Sequence, residues 1–340
     1  MSRILIVKTS ALGDIVQTFF AVDRLKITYP EIVVDWVVES SCAALLQVYP
    51  HVHRTISVDT KGWRKSPFSC KTWREVRAYV EQVRSCEYET VLDLQGNIKS
   101  GVLTALARSN QKVGWGGSSL PEWPNALFTH RRVNPPSRYS ARERYRFFLE
   151  AVFGALRKEP ETVRPPLKKE ACFLVAPGSR WENKKLALDC WVGLLHRMAE
   201  RLEGRFLLIW GTESEKLECI AIQRQLPHCA EVLEYFSIPQ LPELFRRVDG
   251  FLGVDSFLLH FAAYLGVPTY SIFGASSSAQ YAPVGPQHQT VQGSCPYGKK
   301  FEKRCPLLRT CITGDCMKKW NPEVLYRHFF VTTAVQDEFA

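Results

Sequence analysis

Residues 249–274 read DGFLGVDSFLLHFAAYLGVPTYSIFG. Phe251–Val254 is an apolar run of strand length, bounded by Gly250 and Asp255. Asp255 and Ser256 supply side-chain oxygens that start a helix. The helix ends at Gly266, before Val267-Pro268, and Thr269–Phe273 resumes a buried strand. A strand feeding a helix N-terminus holds phosphate well, because unpaired N–H groups and the helix dipole point outward there. The plainer reading is a β-α-β unit that binds nothing.

A second segment of this kind opens the chain. Residues 3–15 read RILIVKTSALGDI. Ile4–Val7 is a buried strand, Lys8 to Gly13 a short loop, and Asp14 opens an amphipathic helix carrying Ile15, Phe19, Val22 and Leu25. The loop lies at the carboxyl end of a strand, where open α/β sheets place their sites. Lys8, Thr9, Ser10 and Asp14 project there. Asp14 alone reads as a helix cap.

Strands are expected at 4–7, 33–38, 54–58 and 90–94, and helices near 14–28, 40–48, 71–84, 97–108 and 139–156. This alternation predicts a parallel sheet covered on both faces. Residues 158–170 are charged, hold three prolines and lack periodicity, which suits a linker. A fresh series follows, with strands at 172–175, 206–210, 232–233, 251–254 and 269–273. Helices are expected near 188–202, 213–225, 239–247, 257–265 and 322–332. The fold class is α/β, with two Rossmann-like halves: 1–157, then after the linker 171–320, and a closing helix in 321–340 that crosses back to the first half.

The 340 residues are 46% hydrophobic and 23% charged, which is a globular balance. No apolar run approaches the roughly 18–20 residues of a membrane span, and a strand starts at once, so a cytoplasmic protein is expected. The net charge of +10 suits nucleic acid, an anionic membrane or a polyanionic substrate. No nucleic-acid module appears, which leaves the other two. Of 11 cysteines, four cluster as Cys295, Cys305, Cys311 and Cys316, without the paired C-x2-C knuckles of zinc sites. Metal binding and reduced structural thiols both remain open. The chain has no Asp-x-Asp pair of the kind that holds Mg²⁺ or Mn²⁺ on a diphosphate, so no divalent metal is expected to be required.

The two segments together resemble the ADP-heptose:lipopolysaccharide heptosyltransferases (glycosyltransferase family 9), most closely their heptosyltransferase I branch. The opening KTSALGD matches the family's KxSxxGD, and DWVVE (35–39) its next strand. The likeness continues through VLDLQGNIKSGVLTALAR (91–108), SARERYRFF (140–148), PGSRWENKKLALDCW (177–191), LLIWGTESE (207–215) and VDSFLLHFAAYLGVPTYSIFGAS (254–276). It implies a GT-B fold of two facing Rossmann-like domains with a central cleft, the first binding acceptor and the second nucleotide sugar. It implies inverting transfer of L-glycero-D-manno-heptose from ADP-heptose to a Kdo residue of Kdo-lipid A, with no cofactor. The protein would work peripherally on the cytoplasmic face of the inner membrane. The alternatives are a related transferase with another acceptor or donor, and a non-catalytic nucleotide-sugar-binding paralogue.

The resemblance raises Asp14 from cap to general base and makes Lys184 the cation facing the leaving diphosphate, with Lys185 adjacent. Thr9, Ser10, Gly13, Ser179, Glu215, Asp255, Ser256, Phe257, Leu258 and His260 would line the donor site, Glu215 on the ribose. At 257 and 259 the chain departs from the family pattern Asp-Thr-Gly-Leu-Ser-His, carrying Phe257 and Leu259, and the bulk of Phe257 is expected to crowd the phosphate. Lys8, Arg142 and Arg144, with Tyr145 beside them, would meet the anionic acceptor. Residues 61–71, KGWRKSPFSCK, read as a flexible solvated loop or, because of Trp63 and Phe68, as an acceptor or membrane contact. Cysteine clusters of comparable placement occur in the family.

Overall fold

The computed structural model describes residues 2–158, 163, 165, 166 and 168–331. The chain divides into two compact units, Met1–Glu159 and Pro160–Ala340. Residues 159–162, 164 and 167 of the expected linker lie outside the described residues.

The first unit holds strands β1 (Arg3–Val7), β2 (Val33–Glu39), β3 (Arg54–Val58), β4 (Thr90–Asp93), β5 (Gln111–Trp115) and β6 (Arg131–Val133). They form one parallel sheet in the order β3-β2-β1-β4-β5-β6. Its helices are α1 (Leu12–Thr28), α2 (Ala43–Leu46), α3 (Thr60–Lys65), α4 (Cys70–Arg84), α5 (Ile98–Leu106) and α6 (Ala141–Phe153). Ile4, Leu5, Ile6 and Val7 are all fully buried, because helices cover both faces of the strand. On one face Leu5, Val7, Val37 and Ile56 pack with Tyr79 of α4 and Leu103 of α5.

The second unit repeats the winding with β7 (Cys172–Ala176), β8 (Arg205–Leu208), β9 (Ala230–Val232), β10 (Gly250–Val254), β11 (Thr269–Phe273) and β12 (His288–Gln292). The order is β12-β11-β10-β7-β8-β9, again parallel. Its helices are α7 (Leu188–Leu202), α8 (Glu213–Gln225), α9 (Leu241–Arg246), α10 (Phe257–Tyr264), α11 (Ser278–Tyr281), α12 (Asp315–Lys318) and α13 (Pro322–Tyr326). Gly266 ends α10 at φ +79° with nothing near its missing Cβ. The backbone angle, not space, calls for glycine there. In each sheet the strand order reverses once, between β1 and β4 and between β7 and β10. Such reversals open a crevice at the strands' carboxyl ends.

Several elements differ from expectation. Strands β5, β6 and β12 were not expected. The flexible-loop reading of 61–71 gives way to helix α3, a turn, and the start of α4. The helix expected at 40–48 shortens to a 3-10 turn plus α2, and that at 239–247 to a 3-10 turn plus α9. The closing helix is α13 continued by a π-type turn, Arg327–Val331. Its Leu325, Tyr326 and Phe329 enter the second unit's core beside Trp191 and Leu194 of α7. Residues 332–340 lie outside the described residues.

Candidate active site

In the first unit the β1–α1 loop crosses the reversal and is held from both sides. Trp36 Nε1 donates to the Lys8 carbonyl at 3.0 Å, and the Glu39 amide to that of Thr9 at 3.0 Å. From the other side Gln95 Oε1 accepts the Ser10 amide at 3.1 Å. Gly13 and Asp14 form the first turn of α1, where Asp14 Oδ2 accepts the Ala11 amide at a long 3.4 Å. Asp14 therefore acts as a weak cap, and a half-buried one.

Lys8 is buried, its Nζ 5.7 Å from the Tyr145 ring centre. Burial presses it toward the neutral form. Tyr145 and the nearby Asp14 and Asp93 carboxylates outweigh that and raise its pKa, so it stays charged. Arg142 stacks on Phe20 at 3.7 Å. Arg144 lies over Trp115 at 5.4 Å. Arg142 and Arg144 of α6 are thus laid on aromatic rings rather than spread into water.

Gln95 is a site residue the sequence reading missed. The turn that carries it is built around Asp93, which is fully buried. Asp93 accepts from the Gln95 and Gly96 amides at 3.0 and 2.9 Å. It also accepts from Ser100 Oγ at 2.9 Å and Asn125 Nδ2 at 2.6 Å. Burial still pushes its carboxyl above the ordinary range. The motif VLDLQGN marked the turn; its place opposite β1 across the reversal was the missing signal. Gln95→Ala is expected to cut kcat roughly 10–100-fold by loosening the loop that carries Asp14, with melting temperature and donor KM nearly unchanged. A change in donor KM alone would place Gln95 elsewhere.

In the second unit Asp255 directly follows β10 and Lys184 sits in a 3-10 turn after β7. Lys184 Nζ pairs with Asp255 Oδ2, both side chains being 10% exposed. Ser276 Oγ donates to the same oxygen at 2.5 Å, and His260 Nε2 lies 3.4 Å from Oδ1. Burial opposes the Asp255 charge, but His260 and Lys184 together hold its carboxyl well below the usual range. Lys184 is thus no solvated surface lysine, and His260 packs with a polar partner. Ser276, also missed, followed β11 in the quoted motif without a role.

The depressed Asp255 carboxyl contributes stability above the unfolded carboxyl pKa of about 4, lost as pH falls through the lower folded value. Asp255→Asn is expected to remove that acid-side dependence. It should cost about 3–5 kcal/mol at neutral pH by leaving Lys184 buried without a carboxylate. Denaturant melts between pH 2.5 and 7 check this. A variant whose stability still falls with the wild-type slope below pH 4 would contradict it.

Ser256 caps α10 in position, and its buried Oγ lacks a partner. The first N–H groups of α10 have no carbonyl within the helix to bond. Phe257 stacks on Phe261, ring centres 5.5 Å apart and 21° from parallel. Its ring is turned along the helix, and Leu258 beside it is half-buried.

The remaining candidates lie on α8 or in the segment between β7 and α7. Lys185 bonds Glu218 at 2.6 Å and Glu182 at 3.0 Å, so its charge is used away from Asp255. Glu215 accepts the Gly211 and Thr212 amides at 2.9 and 3.1 Å. A Cβ on Gly178 would lie 2.5 Å from Glu215 Cγ, so the loop after β7 approaches α8 as only glycine allows. Ser179, next in that loop, is buried and accepts the Trp181 amide at 3.4 Å.

Asn183, beside Lys184, donates to the Leu308 carbonyl at 2.9 Å. It shares a cavity with Cys295, Cys305, Cys311 and Cys316. The Gly314 amide donates to Cys311 Sγ at 3.4 Å and lowers that thiol's pKa, while burial pushes Cys316 up to about 11. Among the described residues no three His, Cys, Asp or Glu side chains are gathered as a metal requires. The cysteine segment braces the turn that presents Lys184.

The family model for glycosyltransferase family 9 (heptosyltransferase) matches residues 76–310. The chain belongs to that family and is a glycosyltransferase. Lipopolysaccharide heptosyltransferase 1 of Pseudomonas aeruginosa is 28% identical over 316 residues, which are 89% of this chain and 87% of that protein. The Escherichia coli (strain K12) protein of the same name is 27% identical, over 80% and 88% of the two chains. E. coli heptosyltransferase WaaC with ADP matches with a TM-score of 0.76 and 26% identity, covering 86% of this chain and 93% of that one. The structure of WaaC with ADP-2-deoxy-2-fluoro heptose matches at 0.73 with 26% identity and the same coverage. The fold, two Rossmann-like α/β units in one chain, is GT-B.

Proposed function

We propose that this chain transfers L-glycero-D-manno-heptose from ADP-heptose to a Kdo residue of Kdo-lipid A, with inversion at the anomeric carbon. The observation that carries the reading is Lys184, held by Asp255 beside the N-terminus of α10. A cation and a row of N–H groups at a strand-order reversal suit a nucleoside diphosphate that gains charge as it leaves. The bound ligands of the two WaaC structures, ADP and a fluorinated ADP-heptose, support the donor. The relatives' name, lipopolysaccharide heptosyltransferase, supports the acceptor class.

The second unit then binds donor and the first acceptor. Asp14 takes the proton of the attacking Kdo hydroxyl while that oxygen bonds the anomeric carbon. The carbon–oxygen bond to the diphosphate breaks on the opposite face, and its electrons settle on oxygens facing Lys184 and α10. Lys8, Arg142 and Arg144 orient the anionic acceptor, and Glu215 receives the ribose hydroxyls. Phe257 lying along its own helix keeps the phosphate approach open, which favours an enzyme over a paralogue that only binds nucleotide sugar. Such an acceptor calls for a peripheral protein on the cytoplasmic face of the inner membrane. Among the described residues no helix is long and apolar enough to cross it.

A time course with ADP-heptose and Kdo-lipid A, read by mass spectrometry, tests the reading. One added heptose per acceptor is expected in the mass spectrum, and NMR of the product is expected to show the anomeric configuration opposite to that of the donor. Donor turnover only with another acceptor would move the assignment within the family.

A further inference from the structure

Among its described residues the first unit exposes seven large apolar side chains, and six lie on two neighbouring segments. Phe68 (90% exposed) and Trp73 (64%) lie on the α3–α4 corner. Ile98 and Val102 (44% each) lie on α5, with Trp123 (73%) and Leu127 (74%) on the 3-10 helix Trp123–Phe128. The segments adjoin. Lys99 of α5 reaches Thr60 at the start of α3 at 3.4 Å. A Cβ on Gly101 of α5 would strike the Phe128 ring.

The corner is rigid on its inner side. Asp59 caps α3 and Ser69 caps α4. Trp63 Nε1 donates to Glu75 at 2.8 Å, and Thr72 Oγ1 donates to the Ser66 carbonyl at 2.7 Å. Its outward charge is one-signed. Residues 60–74 include Lys61, Arg64, Lys65, Lys71 and Arg74, all exposed, and no acid. The flanking Asp59 is spent on its cap, and Glu75 meets Trp63 and Lys71.

We propose that this face is the surface by which the protein lies on an anionic lipid bilayer. Exposed Trp and Phe settle at the headgroup level, and each Lys or Arg near an anionic leaflet strengthens binding roughly fivefold. A protein partner would be expected to offer acids to five basic side chains over a dry centre. Here the charges flank aromatic rings, as an interface with lipid requires. The inference rests on the proposed lipid-linked acceptor, since it says how the enzyme reaches one.

The test is flotation of the full chain with phosphatidylcholine vesicles, with and without 30 mol% phosphatidylglycerol, and tryptophan quenching by brominated lipid. Wild type is expected to float with the anionic vesicles, to do so at least tenfold less with the neutral ones or in 0.5 M NaCl, and to be quenched. The combined variant Trp73→Ser, Trp123→Ser, Leu127→Ser should lose about tenfold or more of that binding and most of the quenching. Trp73→Phe should keep binding. Turnover on a lipid-free Kdo disaccharide should match wild type in every variant, which also verifies folding. Unchanged flotation of the combined variant, or wild type that ignores vesicles and self-associates through this face, would overturn the proposal. Vesicle binding without heptose transfer from wild type would instead overturn the functional reading and leave the surface standing.

Discussion

Asp14→Asn is expected to lower kcat roughly 10²–10⁴-fold, the usual worth of a general base, with donor binding close to wild type. The amide keeps the size of the carboxylate and can still accept the Ala11 amide, so the weak cap survives. What it loses is proton affinity. Cap and base therefore separate in one variant: a residue that only caps predicts turnover and stability both close to wild type, a base a loss of turnover with stability intact. The 3.4 Å length of the cap bond favours the second outcome, because a carboxylate committed to capping would sit closer. Steady-state kinetics beside a denaturant melt decide it, and unaltered turnover would return Asp14 to its structural role.

Lys184→Ala is expected to cost roughly 10²–10³ in kcat and far less in ADP-heptose affinity. In the ground state Lys184 already faces a carboxylate, Asp255. Its attraction to the diphosphate gains most as the bond breaks and charge builds on the leaving oxygen. Lys185→Ala is the internal comparison. Its side chain bonds Glu182 and Glu218, so its loss should affect stability more than rate. Turnover should also survive EDTA, since the chain offers no Asp-x-Asp pair to bring a metal to the diphosphate. Loss of activity in chelator with recovery in Mg²⁺ would transfer the work from lysine to metal.

The sequence was legible where burial is two-sided. Ile4–Val7 of β1 and Phe251–Val254 of β10 stand out because helices cover both faces, β11 is buried throughout, and Asp255 and Gly274 mark the ends of β10 and β11. The missed strands lie at or next to sheet edges. β6 is Arg-Arg-Val with both arginines exposed, β12 is polar but for Val291, and β5 begins Gln-Lys. A half-solvated strand needs no apolar run, so periodicity has little to report there. Helix α3 was obscured by its run of basic residues, and only the Asp59 cap signalled its start.

The site was legible by type and illegible by pairing. Asp14, Lys184 and Asp255 stood out by motif. That Lys184 meets Asp255 depends on a contact 71 residues away, and that Gln95 grips Ser10 on one 85 residues away. Neither distance leaves a trace in local spacing. Lys184 and Lys185 are neighbours in sequence, yet their side chains reach different carboxylates, which no alignment of motifs distinguishes.

The shared strand winding has a consequence for how such a protein changes over time. Each half-site is tied across the reversal of its own sheet, by Gln95 on Ser10 in the first unit and by Lys184 on Asp255 in the second. The strands on either side of each tie belong to one uninterrupted stretch of the gene. With the division of labour proposed above, donor and acceptor preference are encoded separately and can diverge separately. A lineage can adopt a new acceptor by altering residues before the linker while inheriting its nucleotide-sugar grip intact. Chimaeras joined within residues 158–170 are the laboratory form of the same exchange.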